Sequence, residues 1–298
     1  MPVLVGVDLG GSTIDCMIER NGVTTQVKGE GVNVRYAGVA QAAERIVVTV
    51  ASGLRDETFD ALVVGAAGAG DAAIARKLEA ALRAHFTQGA IAVYDDAEIA
   101  LRAAVPQGDG VVLIAGTGSI ACARVDGVAY RVGGYGNLLG DEGSGSAIGR
   151  AALAQMMRWY DGRAPHSELF DALASRLQID SAQGLLDRVY GELNPLARLA
   201  ALAPLVIDRA SAGERAATKI VQGAASELVD LVKAIARNAK IERRELPLVF
   251  AGGLFTENSL LSYLIETRLL GDLPLLQLVK SPPPPVQGAL ELARKMAS

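Results

Sequence analysis

The sequence predicts an α/β protein made of two similar domains, and three observations support this prediction. Short apolar runs alternate with amphipathic stretches of helical length along the chain, a pattern typical of largely parallel sheets. One unit, in which a glycine-rich turn and a hairpin connect three strands, occurs at residues 5–27 and again at residues 111–132. Finally, 50% of the 298 residues are apolar, which is enough for a buried core in each of two domains.

The strands are predicted from short runs of β-branched or other apolar residues. They lie at residues 3–9, 61–65, 91–94, 111–115, 248–251 and 275–279. Asn21-Gly22 and Asp126-Gly127 each separate two short extended runs, which predicts a β-hairpin at each pair. Helices are predicted at residues 97–105, 214–240 and 286–296 and from about residue 257. The second of these is the clearest, because its apolar residues repeat on one face.

The expected domain boundary lies near residue 105, before the glycine-containing loop at residues 106–110. We expect a first domain of residues 1–105 plus the terminal helix 286–298, and a second domain of residues 106–285. Four consecutive prolines at residues 282–285 favour a stiff, extended segment. Such a segment could carry the last helix across to the first domain.

Charge and composition exclude several classes of function. With 29 basic and 33 acidic residues the net charge is −4, which argues against a nucleic acid or an anionic membrane as the main partner. The first residues show no signal-peptide pattern, and no apolar run is long enough to span a membrane. Cys16 and Cys122 are too few for a disulfide framework, and His85 and His166 lie in no metal-ligand spacing. We therefore expect a cytoplasmic protein whose histidines are surface or packing residues.

Two glycine-rich turns have the chemistry of a phosphate-binding cradle. The first comprises Gly10, Gly11, Ser12 and Thr13, and the second comprises Gly116, Thr117, Gly118 and Ser119. Glycines let backbone N–H groups point into a concavity, and the hydroxyl groups add donors. Asp8 precedes the first turn, and a carboxylate beside a phosphate favours an intervening Mg²⁺ ion. The alternative interpretation of either turn by itself is a tight hairpin connection.

Two common nucleotide-binding motifs do not fit this chain. It contains no Gly-Lys pair, so it has no P-loop of the Walker type. Residues 116–121 match a variant of the dinucleotide fingerprint, but a strand and a hairpin follow them where that fingerprint requires a helix. A dehydrogenase is therefore disfavoured.

Three further features carry candidate chemistry at the ends of predicted strands. Asp95 and Asp96 lie between a strand and a helix, so one of them is expected to cap the helix and the other to face a ligand. Asp141 and Glu142 lie between Gly140 and Gly143, in a loop that could bind a polyol or could be a surface loop. The glycine pair at residues 252–253 either lets a flat ligand approach the backbone or is a simple strand-to-helix connection.

Together these motifs resemble the BadF/BadG/BcrA/BcrD-type ATPases, and among them the N-acetylglucosamine kinases and related glucosamine and hexose kinases. The resemblance is carried by residues 5–13, 95–97, 114–119, 133–144 and 251–253. It implies two ribonuclease H-like domains of the actin, hexokinase and Hsp70 type, flanking a nucleotide and sugar cleft. It also implies ATP-dependent phosphorylation of N-acetylglucosamine or glucosamine at the 6-hydroxyl group.

The resemblance assigns roles to the residues at matching positions. Asp96 would be the catalytic general base, and Asp8 would hold Mg²⁺ through water. The phosphates of ATP would contact Gly10, Gly11, Ser12, Thr13, Gly116, Thr117, Gly118 and Ser119. The adenosine would contact Gln222, Gly223, Gly252 and Gly253. The sugar would contact Asn33, Asp96, Thr117 and Asp141. We also expect a homodimer that binds a small sugar and neither nucleic acid nor membrane.

Residues 145–148 depart from the kinases, many of which carry aromatic residues there, whereas this chain has Gly-Ser-Ala-Ile. An unacetylated amino sugar or another hexose is therefore also an expected acceptor.

Two rival functions exist within the wider superfamily. The first is an ATPase that activates a partner enzyme through an iron–sulfur cluster bridging two subunits, which requires suitably placed cysteines. Cys16 and Cys122 follow the two glycine turns and are expected to be buried core residues. The second is a sugar-sensing regulator, which would bear a DNA-binding segment and a cysteine-rich zinc motif that this sequence lacks.

Overall fold

The structure, a computed structural model, describes residues 2–55, 57–191 and 195–298. The chain divides into two compact units. The first contains the residues up to Val112 together with Val279–Ser298, and the second contains Leu113–Leu278. Each unit has its own mixed sheet with interleaved helices, which confirms the predicted α/β fold.

The sheet of the first unit has the strand order β3-β2-β1-β4-β5. Its strands are β1 (Val3–Leu9), β2 (Thr13–Arg20), β3 (Val23–Glu30), β4 (Ala61–Ala66) and β5 (Ala90–Asp95). The first three form an antiparallel meander, whereas β1, β4 and β5 are mutually parallel. The hairpin predicted at Asn21-Gly22 joins β2 and β3, and both turn residues have positive φ angles.

The helices of this unit cover the two faces of the sheet. They are α1 (Val34–Ala37), α2 (Val39–Leu54), α3 (Ala72–His85), α4 (Asp96–Ala104) and α12 (Pro285–Ala297). One cluster of buried apolar residues lies under α2 and α3, and a second lies under α4 and α12. The proline-rich tail thus brings the last helix onto the first sheet.

Helix α12 packs so closely on β1 and on α4 that only glycine fits at two of the contact positions. A Cβ atom on Gly6 of β1 would lie 2.6 Å from the backbone nitrogen of Leu290, and one on Gly288 would lie 1.9 Å from the carbonyl oxygen of Ile99. These glycines let α12 pack directly on β1 and on α4, the helix that begins at Asp96.

The sheet of the second unit has the order β10-β9-β6-β7-β8. Its strands are β6 (Gly110–Ala115), β7 (Ser119–Val125), β8 (Val128–Gly133), β9 (Leu246–Ala251) and β10 (Leu276–Leu278). Read from β8 to β10, this order repeats that of the first sheet. The internal repeat expected from the sequence is therefore a repeat of sheet topology.

The helices of the second unit are α5 (Gly145–Tyr160), α6 (Glu168–Leu177), α7 (Ala182–Tyr190), α8 (Pro195–Ala200), α9 (Ala203–Ser211), α10 (Arg215–Ala239) and α11 (Leu260–Asp272). The long helix α10 buries one apolar face, and Leu228, Val232 and Ile235 lie on it as predicted. The prediction for the start of α11 was wrong by several residues. Asn258 adopts a left-handed backbone conformation, so the helix begins after Ser259.

Among the helices that the structure describes, none combines the length and apolar character needed to cross a membrane.

Candidate active site

The candidate residues of the first unit lie at one edge of its sheet. Leu9 of β1 pairs with Ala66 of β4, and Ala66 pairs with Asp95 of β5. The carboxyl ends of these three parallel strands therefore coincide, and ligands of α/β proteins bind at such edges. The turn after β1, the turn after β4 and Asp96 all leave the sheet there.

The first glycine loop, residues 10–13, is a tight turn between β1 and β2. The Gly10 N–H donates a hydrogen bond to the Thr13 carbonyl oxygen at 2.9 Å, and the Gly31 N–H donates to the Ser12 carbonyl oxygen at 3.0 Å. A Cβ atom on Gly31 would lie 2.3 Å from the Gly10 carbonyl oxygen. The loop therefore takes its shape partly from Gly31, which follows β3 and which the sequence motifs do not identify.

Asp8 is the acidic group of this loop and faces Asp15 across the β1–β2 pair. Burial, and to a smaller extent the negative charge of Asp15, raises the pKa of Asp8 from 3.8 to about 7. An ionised carboxylate in this position is disfavoured unless a cation lies close to it. The Asp8 carboxylate is therefore suited to bind a magnesium ion, either directly or through a water molecule.

Asp95 and Asp96 stand at the junction of β5 and α4. Asp95 is the N-cap residue, and its carboxylate accepts a hydrogen bond from the Ala97 N–H at 2.9 Å. Asp96 is the first residue of the helix, and its carboxylate accepts from the same N–H at 3.0 Å. The expectation that one aspartate caps the helix is therefore met by Asp95, and Asp96 lies at the sheet edge beside it.

Asn33 lies against the turn after β4 in the first unit. It caps the short helix α1 by accepting a hydrogen bond from the Arg35 N–H at 3.0 Å. The following Val34 N–H donates to the carbonyl oxygen of Ala67, after β4. A Cβ atom on Gly68 would lie only 2.4 Å from the Asn33 side-chain oxygen. Asn33 is therefore seated on the turn after β4, the strand adjacent to β5, and Gly68 leaves room for it.

The second glycine loop, residues 116–119, lies between β6 and β7 in the second unit. The Gly116 N–H donates to the Gly118 carbonyl oxygen at 2.9 Å, which closes the turn. The Gly145 N–H, at the start of α5, donates to the Gly116 carbonyl oxygen at 2.8 Å. The Ser119 hydroxyl is buried and donates to the Glu142 carbonyl oxygen at 2.6 Å.

Asp141 lies directly against this second glycine loop. Its Oδ1 atom accepts a hydrogen bond from the Ser119 N–H at 3.3 Å. A Cβ atom on Gly118 would lie 2.9 Å from both carboxylate oxygens. Desolvation is the largest influence on its carboxylate and raises the pKa, although the N–H groups of Ser119 and Gly136 oppose the shift.

The third glycine turn, at residues 252–253, contacts the same loop. Gly252 has a φ angle of +98°, and a Cβ atom there would lie 2.4 Å from the Ala115 carbonyl oxygen. The Leu254 N–H also donates to that oxygen, at 3.1 Å. A Cβ atom on Gly253, in contrast, would meet nothing within 4 Å. The turn therefore packs on the end of β6 and leaves the backbone of Gly253 bare.

Gln222 and Gly223 lie in the middle of α10. A Cβ atom on Gly223 would also meet nothing within 4 Å. The Gln222 carbonyl oxygen accepts a hydrogen bond at 3.2 Å from Arg268 of α11, the helix that follows the third glycine turn. Glycine inside a helix costs about 0.5–1 kcal/mol relative to alanine, and no packing contact explains it here.

The structure thus groups the candidate residues within each unit. In the first unit, Asp8, the first glycine loop, Asn33 and Asp96 share one sheet edge; in the second, Asp141 and the third glycine turn contact the second glycine loop. The sequence analysis missed Gly31 and Gly68, and it noted Gly145 only as a departure from the related kinases. Their glycine identity was the available signal, but the contacts that require it come from residues distant in the chain.

The two cysteines differ in burial. Cys16 is fully buried on β2, as expected, and burial raises the pKa of its thiol to about 12. Cys122 is only half-buried, so the expectation of a core position was too strong for it. Within the described ranges, no group of three or more potential side-chain ligands is placed to hold a metal ion.

Comparison with known proteins identifies the family. The model of the BadF/BadG/BcrA/BcrD ATPase family matches residues 5–293. The chain belongs to this family. An N-acetyl-D-glucosamine kinase of Dictyostelium discoideum is 26% identical to it, over 98% of this chain and 97% of that protein. An N-acetylmuramic acid/N-acetylglucosamine kinase of Clostridium acetobutylicum is 31% identical, over 66% of this chain and 65% of that protein.

Among solved structures, a protein from Chromobacterium violaceum proposed to be an N-acetylglucosamine kinase matches with a TM-score of 0.78. It is 25% identical, and the match covers 98% of this chain and 99% of that one. The family and the fold inferred from the sequence motifs are therefore confirmed.

Proposed function

We propose that this member of the BadF/BadG/BcrA/BcrD ATPase family is an ATP-dependent kinase that phosphorylates an amino sugar or hexose. N-acetylglucosamine and glucosamine are the preferred acceptors, with transfer to the 6-hydroxyl group. The observation that carries this proposal is the shared sheet edge of Asp8, the first glycine loop, Asn33 and Asp96. The similarity to the kinases of Dictyostelium discoideum and Clostridium acetobutylicum supports the same activity.

Asp96 is the proposed general base. It would accept the proton of the acceptor hydroxyl group as the phosphoryl group is transferred, a role that contributes on the order of 10²–10⁴ in rate. Asp96 is the first residue of α4, beside the N-cap Asp95, and its carboxylate accepts a hydrogen bond from the Ala97 N–H, which supports a defined position at the end of β5. Asn33, seated on the turn after β4, would bind another hydroxyl group of the sugar, as would Asp141 and Thr117 in the second unit.

The two glycine loops are the proposed phosphate sites. Phosphoryl transfer depends mainly on positioning and on neutralisation of charge. The N–H groups of Gly10, Gly116 and Ser119 donate to acceptors within the protein and hold the two loops in shape. The remaining backbone N–H groups of the two loops would contact phosphate oxygens, assisted by the hydroxyl groups of Ser12, Thr13 and Thr117. When bound, Mg²⁺ would offset the negative charge of the phosphates, and Asp8 would hold it through water.

The bare backbones of Gly223 and Gly253 support the proposed adenosine site. A flat base needs a surface without side chains, and both positions leave open space where a Cβ atom would stand. Gln222 and Gly252 flank these positions, and Gly252 packs the turn on β6.

The choice between an acetylated and a free amino sugar depends on the start of α5. A Cβ atom on Gly145 would lie 2.9 Å from the Gly116 carbonyl oxygen, and Ser146 and Ile148 are buried. Gly145 therefore has no room for a side chain beside the second glycine loop. Because this chain lacks the aromatic residues that many of the related kinases carry at residues 145–148, we propose that it accepts glucosamine as well as N-acetylglucosamine. Homodimer formation and a cytoplasmic location stay predictions.

The decisive experiment measures ADP release from MgATP by the purified protein with N-acetylglucosamine, with glucosamine, with glucose and without sugar. We expect N-acetylglucosamine and glucosamine each to raise the rate well above the rate without sugar, with a sugar 6-phosphate as product. Equal, slow hydrolysis in every sample would contradict the kinase and favour an ATPase driven by a partner. The purified protein would then be assayed for iron, because the partner-activating ATPase requires an iron–sulfur cluster.

A further inference from the structure

Four hydrogen bonds join the second glycine loop to residues 140–146, which we call the acidic loop. The Ser119 N–H and hydroxyl donate to Asp141 and Glu142, as described above. In the opposite direction, the N–H groups of Gly145 and Ser146 donate to the carbonyl oxygens of Gly116 and Thr117 at 2.8 and 3.4 Å. The Gly116 N–H closes the turn on Gly118. The shape of the glycine loop therefore depends on a segment more than twenty residues away in sequence.

Of these four hydrogen bonds, one uses a side chain of the acidic loop, and that side chain is Asp141. Its Oδ1 atom accepts from the Ser119 N–H at 3.3 Å. It also lies against the Cα atom of Gly118, where a Cβ atom would approach both oxygens at 2.9 Å. One carboxylate of the acidic loop thus contacts two consecutive residues, Gly118 and Ser119, at the exit of the glycine loop.

We propose that Asp141 is a positioning residue for nucleotide phosphate binding, acting through Ser119 and Gly118, in addition to any contact with sugar. This inference rests on the proposed function, because it takes the second glycine loop to bind phosphate. A loop that is held in its binding conformation before the ligand arrives avoids the entropic cost of ordering on binding. Loss of the Asp141 acceptor frees the Ser119 N–H and the Gly118 turn, and nucleotide affinity falls.

The hydrogen bond, rather than the negative charge, is the active feature. A negative charge close to a phosphate site repels the phosphates, so the carboxylate would weaken binding if its charge dominated. Asparagine at position 141 keeps an oxygen acceptor for the Ser119 N–H and removes the charge. Alanine removes both.

The test is the dissociation constant of MgADP, measured by calorimetry without sugar, for the wild-type protein and three variants. We expect Asp141→Ala to weaken MgADP binding at least fivefold, and Asp141→Asn to bind as tightly as the wild type or more tightly. Glu142→Ala is the matched control. It removes an exposed carboxylate from the adjacent position and leaves intact the backbone oxygen that Ser119 uses, so it should bind MgADP like the wild type.

Wild-type affinity in Asp141→Ala would overturn the proposal, and so would an equal loss in Asp141→Asn. The thermal midpoint of each variant, measured without nucleotide, should lie close to that of the wild type; a loss of MgADP binding explained by unfolding at the assay temperature would also overturn it. Failure of the kinase proposal has a different readout, because it would show as absent sugar stimulation in the wild type.

Discussion

Asp95 and Asp96 accept hydrogen bonds from the same backbone amide, the N–H of Ala97, at 2.9 and 3.0 Å. Asp95 ends β5 and caps α4, whereas Asp96 is the first residue of the helix. The two carboxylates therefore share the N-terminus of one helix, where the helix dipole stabilises negative charge. Their positions are adjacent, but only Asp95 has the N-cap geometry.

We expect Asp96→Asn to abolish sugar-dependent ADP release, with a loss on the order of 10²–10⁴ or more, because the amide cannot accept the proton of the acceptor hydroxyl group. Binding of MgADP, measured by calorimetry, should stay close to the wild-type value. Asp95→Asn is the matched control, since asparagine is also a good N-cap residue. It should retain most of the activity, and an active Asp96→Asn enzyme would contradict the assignment of the base.

Gly223→Ala should stabilise the protein and weaken nucleotide binding at once. Alanine in the middle of α10 is expected to raise the free energy of unfolding by about 0.5–1 kcal/mol, because nothing lies within 4 Å of the new Cβ atom. If adenine lies on this bare backbone, the KM for ATP should rise about tenfold, which corresponds to a loss of about 1.4 kcal/mol in binding. Steady-state kinetics with varied ATP would measure it.

The control for this variant is Gly271→Ala, at an exposed position of α11 that also has open space around it. It should stabilise the protein to a similar extent without changing the KM for ATP. Equal KM values in both variants would place the adenine elsewhere.

Gly288→Ala should destabilise the first unit. The new Cβ atom would lie 1.9 Å from the Ile99 carbonyl oxygen and 2.6 Å from the Ala103 backbone nitrogen, so α12 and α4 must move apart. Overpacking of this kind costs typically about 1–3 kcal/mol, and a lower thermal midpoint would show it. Gly271→Ala again serves as the control, with an increase in stability. Unchanged stability of Gly288→Ala would show that the two helices can separate freely.

The raised pKa of Asp8 should make the free energy of unfolding depend on pH. Burial and Asp15 raise the pKa of Asp8 from 3.8 in the unfolded chain to about 7 in the folded protein. Between these two values the folded state holds the proton and the unfolded state has lost it, so stability falls as the pH rises from about 4 to 7 and then levels. Asp8→Asn should lack this part of the decline.

Urea unfolding midpoints at several pH values would measure the difference between the wild type and Asp8→Asn. Asp15→Asn should show a smaller decline than the wild type, because it removes the secondary cause of the raised pKa and keeps Asp8. Parallel curves for the wild type and Asp8→Asn would mean that Asp8 ionises normally in the folded protein.

Local sequence determined the elements and the family of this protein. Alternation of apolar runs with helical periodicity places β1, β4, β5, β6 and β9 within a few residues of their observed bounds, because strands and helices bury apolar residues with different periods. The Asn-Gly and Asp-Gly turns locate both hairpins for a local reason, since these residues tolerate positive φ angles. The start of α11 was predicted about three residues too early, because apolar periodicity does not indicate the left-handed conformation of Asn258.

Only the tertiary structure decided what each polar and glycine residue contacts. The sequence left Asp95 and Asp96 as alternatives for the helix cap, and the backbone geometry at the end of β5 assigns that role to Asp95. It likewise placed Asp141 in an acidic loop, while the contact with Ser119 and Gly118 arises from the packing of that loop on the turn after β6. Periodicity and turn preferences act between near neighbours in the chain, whereas such contacts join segments that only the folded sheet brings to the same edge.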